Sequence, residues 1–385
     1  MLARSRSRQG FALAIALAAI VIIGAIITGM FFASTQEYRM SRNSALQARA
    51  LTSAEYGMHL VMTQGTLPGH WDPAWNTSAN GLVATLGYNS NDGGFDTVRV
   101  TKTGDGMFLV TSTGRVGPAS GAQARHRLGA TVTLAIPQLN MLGALTTKGQ
   151  VKIGGSSFLN GQDSTVASWN CPPPAGDLPG LALPDASKIT TAGCSGLSCI
   201  SGSPKVAQSP AAADDSTYFS FGPGLDWSTL TGMATKTYSS SASINGLGPS
   251  VSGGACYTAD PDNWGDPMHT NPATAACQTY FPIIYAKGDL KITGGVGQGI
   301  LLVEGDLSVQ GGAEFFGPVV VRGSLQTAGT GGHFHGGVMA ANVDLEQSSL
   351  LGDAEIQYSS CALTRALAGS ATPMFVARRP WTELY

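Results

Sequence analysis

At 385 residues the chain has room for two or three domains with their own cores. Charged residues make up only 12% and the formal net charge is −2, so nucleic-acid binding has no electrostatic footprint here. Glycine fills 51 positions, about twice its average share, mostly beyond residue 140 and mixed with Ser, Thr and Asn; that composition suits turn-rich β structure.

The chain opens on a basic leader, 1–10, carrying Arg4, Arg6 and Arg8. Residues 11–33 follow without a charge. As a helix this stretch spans roughly 34 Å, enough to cross a hydrocarbon core of about 30 Å. The arginines before the span place the amino terminus in the cytoplasm and the rest across the membrane. A cleaved secretory signal fits less well, because its apolar core is usually about 7–15 residues long. Helix-compatible residues continue through 34–64, apart from Gly57. Ala50, Ala54, Met58 and Val61 recur at spacings of four and three, which makes one apolar stripe for packing on a soluble domain. The whole helix would be about 80 Å long. Pro68 and Gly69 end it.

Three local patterns carry a family resemblance over about 60 residues. Gln9-Gly10-Phe11-Ala12-Leu13 resembles a prepilin peptidase site, with cleavage after Gly10. Gln36-Glu37-Tyr38-Arg39-Met40-Ser41-Arg42-Asn43 and Ala54-Glu55-Tyr56-Gly57-Met58 are similar to stretches of the PilX-type minor pilins of type IV pilus assembly. The resemblance implies a structural subunit with Phe11 as its methylated amino terminus. Its partners would be the peptidase, other pilins and pilus assembly proteins, with the membrane met through 11–33. The resemblance also implies that this is a bacterial inner membrane, with the rest of the chain in the periplasm. Major pilins carry a Glu at the fifth mature position, where this chain has Ile15. A carboxylate there would pair with a neighbour's terminal amine, and its absence points to a minor subunit. The alternative for this segment is an uncleaved anchor on an envelope protein.

Residues 65–140 read as a small antiparallel β region. A loop with Trp71, Pro73 and Trp75 precedes strand-like runs at 95–102, 107–113 and 125–136. Thr103-Gly104-Asp105-Gly106 is a hairpin turn between the first two. Such a sheet would cover the apolar stripe of the helix.

From 280 the chain repeats. Gly288-Asp289-Leu290 is echoed by Gly305-Asp306-Leu307, by Gly323-Ser324-Leu325 and loosely at Asn342, at spacings of 17, 18 and 19 residues. Short apolar runs lie between the echoes. A period near 18 with glycine at the corners predicts a parallel β-helix over 280–360. An earlier coil is expected at 141–167, around Gly149 to Gly155, with 168–279 as a Cys-, Pro- and Gly-rich insertion. Residues 361–385 form a cap and tail; 356–367 resembles the end of bactofilin-like β-helices, and 362–368 reads as a short helix over the edge of the last coil. The expected fold is therefore mainly β with one long amino-terminal α-helix: a pilin-like helix and small sheet, then a parallel solenoid.

Six cysteines, Cys171, Cys194, Cys199, Cys256, Cys277 and Cys361, all lie beyond the span. An even number in an exported chain favours disulfides, with the pairing open. Nearness in sequence favours Cys194 with Cys199 and Cys256 with Cys277, leaving Cys171 and Cys361; free buried thiols are the alternative. No Cys-x-x-Cys supports zinc. Asp260, Asp262 and Asp266 beside Gly265 form a weak calcium candidate, since no bidentate Glu follows. His333 and His335 share one face of a strand but lack a third ligand. No hydrolase, nucleotide or metalloprotease motif occurs, and no cofactor is implied. Asp289, Glu304, Asp306 and Arg322 are the only candidates for a polysaccharide-acting enzyme. The sequence thus favours a non-enzymatic pilin-like subunit of the inner membrane, later at the pilus or cell surface. A membrane-anchored adhesin or glycan-binding solenoid is the first rival, and the enzyme the second.

Overall fold

The computed structural model describes residues 9–64, 79–87, 95–117, 124–222, 225–342, 348–376 and 382–384; side chains at 9–11, 63–64, 95–96 and 372 are outside that description. Leader residues 1–8 and the loop with Trp71, Pro73 and Trp75, like Pro68 and Gly69, also lie outside the described residues. The chain divides into two compact units. One takes the described residues up to Thr133 and those from Met374 onward; the other is Leu134–Pro373.

In the first unit a single helix, α1 (Gln9–Gln64), meets an antiparallel sheet of β1 (Val83–Gly87), β2 (Phe95–Gly104), β3 (Met107–Val116) and β4 (Ala124–Ala135) in that order. The expected strands and hairpin are present, and Gly106 adopts the positive φ of 67° that the turn needs. Two features were not legible: β1, and the return of the carboxy-terminal tail. Strand Thr372–Phe375 joins the edge at β4, where the Val376 N–H donates to the Thr131 carbonyl, and Glu383 pairs with Leu128. The apolar stripe of α1 is buried, with Ala50, Ala54, Met58 and Val61 at 0% exposure. Alternate residues of the sheet face it, among them Val98, Val100, Phe108 and Val110. Gly114 sits where β3 comes closest: a Cβ there would lie 2.0 Å from the Ala50 carbonyl oxygen. Only the smallest side chains on both partners allow this approach.

The second unit is the parallel β-helix, with three walls. On the first wall the strands stack in the order 236–238, 283–286, 300–303, 319–321, 338–340, 145–147, 181–183 and 206–208. The second wall runs in the same order, from 242–247 to 189–192. So does the third, through Phe315, Phe334, Ile356, Leu159 and Ile200, which stand in register. Successive coils lie about 4.8 Å apart, so like side chains stack into continuous apolar columns.

Stack order is not chain order. The coil at 145–160 lies between the last coil in sequence, 338–358, and the coil at 181–201. From 208 the chain returns to the far end of the stack along the outside of the first wall. There Lys148 pairs with Asp215, the Arg322 guanidinium lies 5.2 Å from the Phe219 ring centroid, and Trp227 packs on Tyr285. The first wall is thus covered on both faces, which explains its unbroken apolar runs at 283–286, 300–303 and 319–321.

Two expectations are corrected. The stretch 168–279 is not simply an insertion: it supplies strands to coils at both ends of the stack, through 181–183, 189–192, 200–201, 206–208, 236–238 and 242–247. Its repeat is hidden because long loops separate the strands. The helix Ser360–Gly369 exists, but it does not shield a terminal edge, since the next coil already covers the coil before it. Instead Cys361, Ala362 and Ala366 pack outside the third wall against Phe316, Trp169 and Phe281.

Candidate functional site

The longest exposed feature in the first unit is the amino-terminal part of α1. Its side chains from Ala12 to Ala45 are exposed on every side, Phe31 at 75% and Ile15 at 57%. Over 12–33 the only hydroxyl is that of Thr28, which donates to the Gly24 carbonyl at 2.7 Å. The segment therefore presents no unsatisfied polar side chain to an apolar medium. It is one helix long and apolar enough to cross a membrane. From Ser34 the surface becomes polar, and the first fully buried residue is Ala50. At 1.5 Å per residue, roughly 25 Å of exposed polar helix separates the apolar span from the sheet. Gly10 and Phe11 lie in the first turns of α1; the side chain of Phe11 is outside the described residues.

The acidic candidates of the solenoid have structural partners. At one corner Asp289 Oδ1 accepts the N–H of Asp306 at 3.0 Å, and Asp306 Oδ1 accepts the N–H and hydroxyl of Ser324 at 2.6 and 2.9 Å. Each side chain bonds to the equivalent position one coil on. A Cβ on Gly305 or Gly323 would come within 2.3 Å of the carboxylate below. The Gly-Asp-Leu repeat is therefore a corner ladder: glycine makes room, aspartate bridges coils, and leucine fills the interior. Glu304 directly precedes Gly305 at the same bend. It pairs with Arg322 and accepts hydrogen bonds from Trp227 Nε1 at 2.9 Å and the Tyr285 hydroxyl at 3.1 Å. Oε2 thus holds Trp227 of the returning strap, while Oε1 holds Arg322, whose guanidinium lies over Phe219 and Trp227 of the same strap. The four residues form no common cleft; Asp289 and Asp306 line a shallow one of about 470 Å³ with Lys291, Ser308 and Gln326.

Asp260, Asp262 and Asp266 do not converge. Among the described residues no three His, Cys, Asp or Glu side chains gather closely enough to hold a metal ion. The cation of this loop is the ammonium of Lys236, which is 6% exposed and donates to the carbonyls of Thr258 and Asp260. Burial lowers its pKa, and the charges of Asp260 and Asp262 oppose that shift. Asp266 is occupied locally, accepting from the Thr274 hydroxyl at 2.7 Å and the His269 N–H at 3.3 Å. His333 and His335 face outward on one strand while Phe334 between them is buried. His335 stacks on Phe316 with centroids 4.4 Å apart. Burial, with His333 beside it, lowers its pKa to about 4.

All six cysteines are paired: Cys171 with Cys361, Cys194 with Cys199, and Cys256 with Cys277. The first joins the loop after the 145–160 coil to the helix after the 338–358 coil, which are neighbours in the stack and 190 residues apart in sequence. The same seam carries hydrogen bonds from Asn160 to Gln357, Ser360 to Asp163 and Thr147 to Asn342.

No family model matches the chain, and no curated protein matches its sequence. Among solved structures it is similar to the competence-associated pilin ComZ from Thermus thermophilus, at 13% identity over 88% of this chain and 97% of that one, with a TM-score of 0.23. A superposition that loose carries no argument about function.

Proposed function

We propose that this chain is a structural, pilin-like subunit of a type IV pilus system, without catalytic activity of its own. The observation that carries this reading is the single continuous helix, Gln9–Gln64, exposed and apolar at one end and buried under an antiparallel sheet at the other. One rigid element thus serves as membrane anchor and as packing surface of a soluble head. The Gly10–Phe11 junction and the stretches around Arg39 and Ala54 support the same reading through their resemblance to PilX-type minor pilins. In it, the apolar span holds the subunit in the inner membrane until a prepilin peptidase cleaves after Gly10 and methylates the new amine of Phe11. The span then packs against helices of other subunits, and the solenoid is carried as a rigid outer module. Ile15 in the place of an acidic residue favours a minor role in the filament, since no carboxylate is available for a neighbour's amine.

Mass spectrometry of the protein purified from cells with an active peptidase is expected to find a chain beginning at N-methylated Phe11. An intact leader in those cells would overturn the proposal.

A further inference from the structure

The polar exit of the helix has a charge pattern that the anchor alone does not require. Arg39 and Arg42 are both exposed and make no hydrogen bond or ion pair with any described residue. They are three residues apart and so share one side of the helix, while Glu37 projects from the opposite side. Measured along the axis from Ala33, Arg39 lies about 9 Å and Arg42 about 13 Å beyond the last residue of the apolar span. The headgroup layer on each side of a bilayer is roughly 5–8 Å thick. Both backbone positions therefore lie just outside that layer, and both arginines reach the phosphates by bending their long aliphatic stems back along the helix. Tyr38, 69% exposed, stands at the same level, where amphipathic rings settle between headgroup and water. Phe31 and Phe32, 75% and 66% exposed, fill the last apolar turn below.

Positive charge on the far side of a span works against insertion. Here the arginines after the span face the three of the leader before it. On the reading above, processing removes Arg4, Arg6 and Arg8, and leaves Arg39 and Arg42 as the positive side chains nearest the bilayer, with Glu37 on the opposite side of the helix. The geometry points to a second membrane contact: Arg39 and Arg42 bind the phosphates of anionic phospholipid headgroups in the leaflet on the head side, and so set the depth and tilt of the anchor before assembly. This inference rests on the membrane-anchored reading.

The test uses the full chain reconstituted into nanodiscs of mixed phosphatidylcholine and phosphatidylglycerol, with retained lipid measured by native mass spectrometry. Each arginine near an anionic surface contributes about a fivefold preference. Arg39→Gln with Arg42→Gln is thus expected to lower the selectivity for phosphatidylglycerol by roughly 25-fold. The Lys pair, Arg39→Lys with Arg42→Lys, should keep most of it, and Arg4→Gln with Arg6→Gln and Arg8→Gln should leave a clear residue. If the full chain enters nanodiscs but its selectivity is unchanged by the Gln pair, this inference falls and the anchor stands. If the Gln pair instead only abolishes co-purification with other pilus subunits, the arginines serve a protein contact and the inference falls likewise. Failure of the wild-type chain to enter nanodiscs would overturn both readings.

Discussion

At the scale of single residues, the carboxylates of the solenoid are coil-to-coil connectors. Asp306 accepts two hydrogen bonds from Ser324, so Asp306→Ala leaves a backbone N–H at a tight corner without its acceptor. A loss of about 1–3 kcal/mol in unfolding free energy is expected, while Asp306→Asn, which keeps an acceptor oxygen, should lose less. His335 sets a pH limit. Its pKa falls to about 4 in the fold from an ordinary 6.5, so between those values the unfolded chain takes up a proton that the native one refuses. Stability contributed by the neutral ring is complete above pH 6.5 and is lost as pH falls toward 4. Urea denaturation across that window should show wild type losing on the order of 2–3 kcal/mol relative to His335→Gln, which cannot titrate. The sequence placed His333 and His335 on one face of a strand. It could not show that His335 would stack on Phe316, because that contact depends on the register between one coil and the next.

Among the elements, those with a short-range period were legible. The span, the stripe of α1, the hairpin at Gly106 and the coils after 280 all repeat within a turn, a strand or a coil. The strands of 168–279 were not, since loops of unequal length break their period and no local signal ties 181–183 to 145–147. The tail strands were equally hidden, because a two-residue pairing such as Glu383 with Leu128 leaves no pattern in sequence. The contact between α1 and β3 is the most demanding of these packings. Gly114→Val would drive side-chain atoms into the backbone at Ala50 and Ala54. Overpacking of this kind costs about 1–3 kcal/mol or more. Thermal unfolding of the first unit is expected to shift down, with the far-ultraviolet signal of the solenoid retained; coincident loss of both would show that the units are not independent.

For the whole molecule, the seam between the 338–358 and 145–160 coils decides cohesion. Cys171–Cys361 closes a loop of 190 residues across it. Chain-entropy reasoning gives such a bond about 5 kcal/mol, acting mainly on the unfolded state. Cys171→Ser with Cys361→Ser should therefore lower the denaturation midpoint far more than Cys194→Ser with Cys199→Ser, whose loop is only 5 residues. Equal effects of the two double substitutions would show that the seam is held by its hydrogen bonds and columns alone.

The displaced stack order also constrains how this protein can be made. A solenoid wound in sequence order can add each coil to the one before it as the chain emerges. Here the coil at 145–160 appears first, and one of its two edges stays open until residues 338–358 arrive. As the chain is made from its amino terminus, it must hold unpaired strand edges through nearly two hundred residues of synthesis, and only its last coil seals them. Maturation is thus a closing step rather than a growing one, and an escort that masks parallel strand edges would be needed during that interval more than at any later time.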